Sequence, residues 1–459
     1  MRLSCHLPLA ICLFAHLPLI SHRQDPLSPT EKPLRRVLVI AYYFPPMGLS
    51  GVQRVAKFVK YLPEHGWQPT VLTIEPAGYF AYDTTLLHEA EEAGVTIHRT
   101  PSWDPTRLFG DRRTVSLPAE HVRRRLSSVS QFLFVPDNKI NWMPHALRAG
   151  NRLLQEHAFD AVFSSAPPYT AHLVAARLSR KHSLPLVVDF RDDWVGNPRH
   201  VYPTALHRRL NQRMEQRVLR TSRHAITINE PIRKALTARN TKADFQPSIS
   251  VIPQGFDPDD FAVAPATMPP ETMSLLYSGI FYDAQTPDFF LRALAQVIER
   301  RPEARSHLKA IFVGLLPKMA SQLIERLGIS DLVRYEGYVS HDEAVAFQRA
   351  ADVLWMTIGK RPGAEGISTG KLFEYFGTRK PILALVPPGA ASEALEPYDA
   401  ACIVEPDDVA AIEQAIAGLY DRWRTGQLPT PNEAYVQQFD RKRLAGLLAD
   451  SLSRSLEGA

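Results

Sequence analysis

Two stretches of this chain set glycines, small hydroxyl residues and single charges at spacings that suit a phosphate. The later one is Gly363-Ala-Glu-Gly-Ile-Ser-Thr-Gly-Lys-Leu-Phe-Glu-Tyr-Phe-Gly377. Ser368, Thr369 and Gly370 precede an apolar helical run, so backbone N–H groups there can cap a diphosphate, and Lys371 adds charge in the first turn. Glu374 stands one turn further on, and its two acceptor oxygens match a vicinal diol such as that of ribose. The plainer alternative is an N-cap followed by a Lys–Glu surface pair. The earlier stretch is Phe44-Pro-Pro-Met-Gly-Leu-Ser-Gly51. Gly48, Ser50 and Gly51 open a helix and let backbone approach a ligand, and Arg54, one turn in, can reach a phosphate. This is neither a G-x-G-x-x-G fingerprint nor a P-loop. Phosphate binding, acceptor binding and an ordinary strand–helix turn all remain open for it.

These loops need a scaffold that points them into one cleft. Val37-Leu-Val-Ile-Ala-Tyr42 is a continuous apolar run, as expected for a strand buried on both faces of a parallel sheet. A helical pattern from Val52 to Leu62 follows, then a strand at Thr70–Ile74, which makes a βαβ unit. Further strands are expected at Phe159–Ser165, Leu186–Phe190, Ala225–Ile228 and Ser250–Ile252. A second series places strands at Ser274–Ser278, Lys309–Val313, Val333–Glu336, Val353–Thr357 and Ile382–Val386. Asp257–Glu271, rich in Pro and Ala, is expected to link the two series, with Asp257-Pro-Asp-Asp260 as a turn. The expected architecture is α/β. Residues 1–34 form an apolar segment and linker, 35–262 and 263–430 two Rossmann-like domains, and 431–459 a helix that returns to the first domain.

The 459 residues exceed what one core usually organises, and 45% hydrophobic with 22% charged is ordinary for a globular protein. A net charge of +5 favours anionic partners such as nucleotides or an acidic membrane. No nucleic-acid motif accompanies it, so nucleic acid is excluded as a partner. Cys5, Cys12 and Cys402 give neither a disulfide framework nor zinc spacing, which suits a reducing cytoplasm. No cluster of carboxylates or histidines suggests a metal, and none is expected. Residues 1–21 are mostly apolar but interrupted by His6, Pro8, His16 and Pro18. They are a bland extension or a membrane-touching segment. Arg107–Arg125 interleaves Arg112, Arg113, Arg123, Arg124 and Arg125 with large apolar residues. With Phe132-Leu-Phe134 nearby, it is either a solvated face or a dock for an anionic membrane.

Taken in order, three stretches resemble glycosyltransferase family 4, whose members have the GT-B fold and act with retention. They are Tyr42-Tyr-Phe-Pro-Pro-Met-Gly-Leu-Ser-Gly-Val-Gln-Arg54, then Ser164-Ser-Ala-Pro-Pro-Tyr-Thr-Ala-His172 with Val188-Asp-Phe-Arg-Asp-Asp-Trp194, and Ser368-Thr-Gly-Lys-Leu-Phe-Glu-Tyr375 with Lys380-Pro381. The second is similar to a bacterial branch of exopolysaccharide and O-antigen enzymes. The resemblance implies a nucleotide-diphosphate sugar as co-substrate, no cofactor, and a glycan or lipid-linked acceptor. It implies a cytoplasmic enzyme, peripheral on the inner membrane face where the acceptor is lipid-linked. Glu374 matches the family's ribose-binding carboxylate. The partner carboxylate falls on Gly366, and Glu365 stands one residue off and is assigned to the donor sugar. Relatives place an Arg and a Lys after the glycine matching Gly279. This chain has Ile280-Phe-Tyr-Asp-Ala-Gln-Thr286, so the charge is expected from Lys360, Arg361 and Lys371. Retaining transfer in this class uses the leaving diphosphate to help deprotonate the acceptor, so the site supplies positive charge and N–H groups. Asp192 and Asp193, kept ionised by Arg191, would orient the acceptor hydroxyl. His172 is a candidate base or a packed helical histidine. A sugar-nucleotide epimerase and a non-catalytic sugar-nucleotide or glycan-binding protein are the rival readings.

Overall fold

The computed structural model describes residues 34–48, 50–76, 82–104, 130–197, 200, 202–281 and 285–457. The N-terminal apolar segment and the arginine-rich run 107–125 lie outside the described residues.

The apolar runs form two parallel sheets, as the sequence predicts. The first contains β1 (Arg35–Ile40), β2 (Trp67–Ile74), β3 (Thr96–Thr100), β4 (Ala161–Ala166), β5 (Leu186–Phe190), β6 (His224–Thr227) and β7 (Ile249–Val251), in the order β3-β2-β1-β4-β5-β6-β7. The second contains β8 (Met273–Ile280), β9 (Leu308–Leu315), β10 (Val333–Gly337), β11 (Val353–Thr357), β12 (Ile382–Leu385) and β13 (Ala401–Val404), in the order β10-β9-β8-β11-β12-β13. Helices cover both faces of each sheet, so Val37–Ile40, Leu186–Phe190 and Val353–Thr357 are buried throughout. That double burial is why these strands are continuous rather than alternating. β3 and β13 carry no such run. They are edge strands, largely half-exposed, and the sequence reading missed both.

In each sheet the strand order reverses once, between β1 and β4 and between β8 and β11. Loops leave the carboxyl ends of neighbouring strands in opposite directions there, which opens a crevice for a ligand.

The chain passes between the sheets twice, side by side. Phe256 N donates to Phe439 O at 3.0 Å and Arg441 N to Phe256 O at 2.9 Å. Gly255 permits the contact, since a Cβ there would sit 2.2 Å from the Phe439 carbonyl oxygen. Beyond the second crossing, helix Arg441–Glu457 lays Leu444, Leu448 and Leu452 in one core with Val37, Val55 and Val59.

The Asp257–Asp260 turn differs from a solvated linker. It is a 3-10 turn whose Asp257 is fully buried. Lys57 binds both Asp257 and Asp260, while Lys60 binds Asp257 at 3.0 Å and Asp259 at 2.9 Å. Tyr61 donates its hydroxyl to Asp257 at 2.6 Å. These carboxylates anchor the first crossing to helix Ser50–Tyr61.

Candidate active site

At the mouth of β8, Gly279 takes φ +127° and faces Lys371, whose Nζ would be 3.0 Å from a Cβ placed on that glycine. The ammonium lies 3.6 Å over the centre of the Tyr277 ring. Burial lowers the Lys371 pKa to about 7, with Glu374 opposing the shift. Among the described residues no carboxylate pairs with this amine and no acceptor takes its protons. The surface Lys–Glu pair left open by the sequence is therefore not formed. Lys371 instead stands at the carboxyl end of β8, between Gly279 and the Tyr277 ring.

Helix Gly370–Thr378 begins beside it without a side-chain cap. Thr369 occupies the N-cap position, yet its hydroxyl is buried and unbonded. Neither Gly366 nor Gly370 would bring a Cβ within 4 Å of any atom, so open space rather than packing surrounds them. The uncapped N–H groups, the orphan hydroxyl and the unpaired ammonium are donors in search of an anion. Ser368 contributes differently, because its Oγ accepts from Asn229 Nδ2 at 3.0 Å. Asn229 also donates to the Gly366 carbonyl at 2.9 Å, so it joins the first domain to this loop. Asn229 caps helix Glu230–Asn240; its helix-start role is readable from Asn-Glu-Pro, but its contact with residues 366–368 is not.

Glu374, one turn beyond Lys371, points an oxygen at His341 Nδ1, 3.6 Å away. Glu365 is exposed on the short 364–366 turn and has no hydrogen-bond partner among the described residues. The Arg361 carbonyl accepts from Ala364 N at 3.0 Å at the start of the same turn. Lys360 does not face the site. It pairs at the surface with Glu405 at 3.0 Å and Asp407 at 2.6 Å, which removes it from the expected diphosphate ligands.

The first domain corrects several expectations. Arg54 is buried and spends its guanidinium on Asp189, with Nε–Oδ2 and Nη2–Oδ1 both 3.0 Å, and on the carbonyls of Pro253 and Ile252. Enclosed by these partners at 1% exposure, it does not reach out to a phosphate. Arg191 is likewise spent, on the backbone carbonyls of Ala166, Pro167 and Gly51, so it staples the β4 loop to the first helix. It does not pair with Asp193, which binds Arg239. Gly48 is needed because a Cβ would meet Asp83 at 2.9 Å, and at Gly51 it would meet Arg191 at 3.2 Å. Both glycines therefore answer to the protein's own atoms. Ser50 begins helix Ser50–Tyr61. His172 is sealed between Tyr169, Phe190 and Trp194, hydrogen-bonded to Ser164 at 2.8 Å. Burial lowers its pKa to about 3, so it is a neutral core residue and not a base. Asp192, half-buried two residues beyond β5, makes no side-chain hydrogen bond among the described residues but lies in the field of Arg191.

No group of three His, Cys, Asp or Glu among the described residues is placed to hold a metal ion.

Comparison with known proteins bears on the family and the fold. Residues 51–255 match the glycosyl transferase 4-like domain and residues 272–422 the glycosyl transferases group 1 model. The D-inositol 3-phosphate glycosyltransferase 2 of Catenulispora acidiphila is 28% identical over 227 residues, covering 46% of this chain and 51% of that one. The match thus spans about half the length of that relative. Anabaena Alr3699/HepE in complex with UDP superposes with a TM-score of 0.59 at 15% identity, over 92% of this chain and 100% of that one. Sucrose-phosphate synthase from Thermosynechococcus elongatus gives 0.60 at 14% identity, over 93% and 99%. These likenesses share the two-sheet fold. The chain belongs to glycosyltransferase family 4 and has the GT-B fold.

Proposed function

We propose that this chain moves a sugar from a nucleoside-diphosphate donor to a glycan or lipid-linked acceptor, with retention, in the bacterial exopolysaccharide and O-antigen branch. The observation that carries the reading is the convergence of unsatisfied donors at Thr369, Gly370 and Lys371. The sugar C1–O bond to the diphosphate breaks, a C1–O bond to the acceptor forms, and the acceptor proton passes to the departing phosphate. The positive charge that this leaving group needs is supplied by Lys371 and the helix N-terminus, with Arg361 nearby in sequence. Glu374 takes the ribose diol, Glu365 and the open backbone at Gly366 border the sugar, and Asp192 orients the acceptor. That solved relatives hold UDP or UDP-glucose supports trying uridine nucleotides first.

A panel of UDP-, GDP-, ADP- and dTDP-sugars tests the proposal. One donor should be hydrolysed slowly without acceptor, with the anomeric configuration kept, and equally well in EDTA. The EDTA expectation follows from the Asp257–Asp260 carboxylates being spent on Lys57, Lys60, Tyr61 and His341. Release of an epimerised sugar nucleotide would make the chain an epimerase, and binding without turnover a non-catalytic protein.

The first domain also supports docking on an anionic membrane. Phe132, Leu133 and Leu206 are 56%, 66% and 60% exposed, and the Phe132 ring lies tilted against His207 of helix Ala205–Thr221, 5.4 Å between centres. The same helix turns Arg209, Arg213 and Arg217 to solvent, and Arg177 and Arg180 stand exposed on helix Thr170–His182. Burial lowers the Arg177 pKa, and so do Arg217 and Arg180, a crowding of like charges that an anionic surface relieves. No helix among the described residues is long and apolar enough to cross a membrane. Changing Arg209, Arg213 and Arg217 together to Gln should cut partitioning onto phosphatidylglycerol vesicles about a hundredfold, at ~1 kcal/mol per basic residue. Nucleotide binding should not change. Equal sedimentation of variant and parent at low salt would show that this face is merely solvated.

A further inference from the structure

The putting of a cation at His341 runs against local electrostatics. Ser340 and Glu343 form a capping box that starts helix His341–Ala350, so the histidine stands in the first turn, where the helix dipole disfavours positive charge. Its surroundings nevertheless demand one. Nε2 lies 3.4 Å from Asp260 Oδ2 and Nδ1 3.6 Å from Glu374 Oε1. A ring with a carboxylate at each nitrogen satisfies both only when both nitrogens carry protons.

We infer that His341 is a positioning residue that holds the Glu374 carboxylate for the donor and ties it to the first domain. This rests on the reading of Glu374 as the ribose ligand. The tie is a chain of alternating charge. Glu89 binds Lys57 at 2.7 Å, Lys57 binds Asp260 at 2.8 Å, and Asp260 faces His341, which faces Glu374. It runs from helix Thr85–Glu92, through Lys57 of helix Ser50–Tyr61 and the crossing segment, to the helix that bears Lys371. The other charges facing this group are Asp83 and, from the C-terminal helix, the buried Arg441, which feels both Asp260 and Glu374. Arg441 donates no side-chain hydrogen bond among the described residues, so it does not compete for either carboxylate at hydrogen-bond range.

Burial opposes the imidazolium, but the hydrogen bond to Asp260 and the fields of Glu374 and Asp260 raise its pKa to about 9. Against the same burial, His341 and Lys57 hold Asp260 down at about 2. The sign follows. The folded His341 pKa lies above its ordinary value, so the stabilisation is full below the unfolded value near 6.5 and is lost as pH rises through about 9. Glu374 is thus held across neutral pH and released in alkali.

His341→Gln keeps the ring's size and one donor while removing the charge. By calorimetry with UDP and GDP near neutral pH, it should bind the preferred nucleotide about three- to tenfold more weakly, the scale of a partly exposed ion pair. With the corresponding donor, KM should rise by a similar factor and kcat should stay within about twofold. The ratio of parent to variant affinity should close toward one as pH rises through about 9. Asp260→Asn should move that closure to lower pH. In a double-mutant cycle, His341→Gln should cost nothing more once Glu374→Gln is present. Unchanged affinity in His341→Gln, or additive losses in the cycle, overturns the positioning role. If Glu374→Gln itself binds normally, the ribose assignment fails first, and a weakened Glu374→Gln beside a normal His341→Gln sinks the tie alone.

Discussion

Arg54→Met should melt roughly 10 °C below the parent chain, because removing one partner of a buried ion pair costs about 3–5 kcal/mol. The reason lies in the surroundings of Asp189. Both side chains are essentially inaccessible, at 1% and 0% exposure. The guanidinium meets the carboxylate through two 3.0 Å contacts, binds the carbonyls of Ile252 and Pro253, and rests 4.7 Å over the Phe58 ring. Methionine fills the stem's volume but leaves Asp189 with the Ser165 hydroxyl, 2.7 Å away, and the more distant field of Arg191. A buried carboxylate without its ion-pair partner results. Arg54→Met with Asp189→Leu should recover part of the loss, because apolar pairs often replace buried ion pairs without penalty. Thermal melting of the single and double variants, with nucleotide titration on the folded protein, decides between the two roles of Arg54. A normal melting temperature with lost nucleotide affinity would return Arg54 to the phosphate site.

That contrast shows where sequence reading reaches and where it stops. The sheets were legible because strands buried on both faces declare themselves locally, as Val37–Ile40 and Val353–Thr357 do. Thr96–Thr100 and Ala401–Val404 are edge strands, mostly only partly buried, and they present no run to read. Site residues follow the same rule. The charge of Lys371 and the uncapped N-terminus that it joins belong to one short helix, so sequence neighbours already specify the chemistry. The neutraliser of Arg54 lies 135 residues away, and those of Asp257 and Asp260 about 200 residues back on the first helix. Nothing near either residue announces the pairing. Gly48 and Gly51 taught a narrower lesson, since a glycine says that something comes close without saying whether it is a ligand or, as here, Asp83 and Arg191. His341 escaped notice because its capping box explains the helix start and hides what the side chain faces.

Lys371→Met should weaken nucleoside-diphosphate binding about a hundredfold, the ~2–3 kcal/mol of a charge-assisted hydrogen bond in a desolvated site. It should also stabilise the empty protein. In the absence of a ligand the amine is buried over Tyr277 without a counter-ion, beside a helix N-terminus that repels it. Its folded pKa, about 7, lies below the ordinary lysine value, mainly through burial. Between that value and about 10.4 the unfolded chain therefore binds more protons than the folded one, and stability rises with pH across this window. Methionine removes the penalty, so the variant should be more stable than the parent near neutral pH and should lose that part of the rise. Nucleotide binding has the opposite slope. A diphosphate favours the charged amine, so binding takes up a proton, and affinity should fall by up to about tenfold per pH unit as pH climbs above 7. Calorimetry in two buffers of different ionisation enthalpy measures that uptake directly, and the variant should show less of it. Full affinity in Lys371→Met, or a parent affinity that is flat between neutral and alkaline pH, would take the diphosphate away from this helix terminus and leave the orphan Thr369 hydroxyl without a purpose.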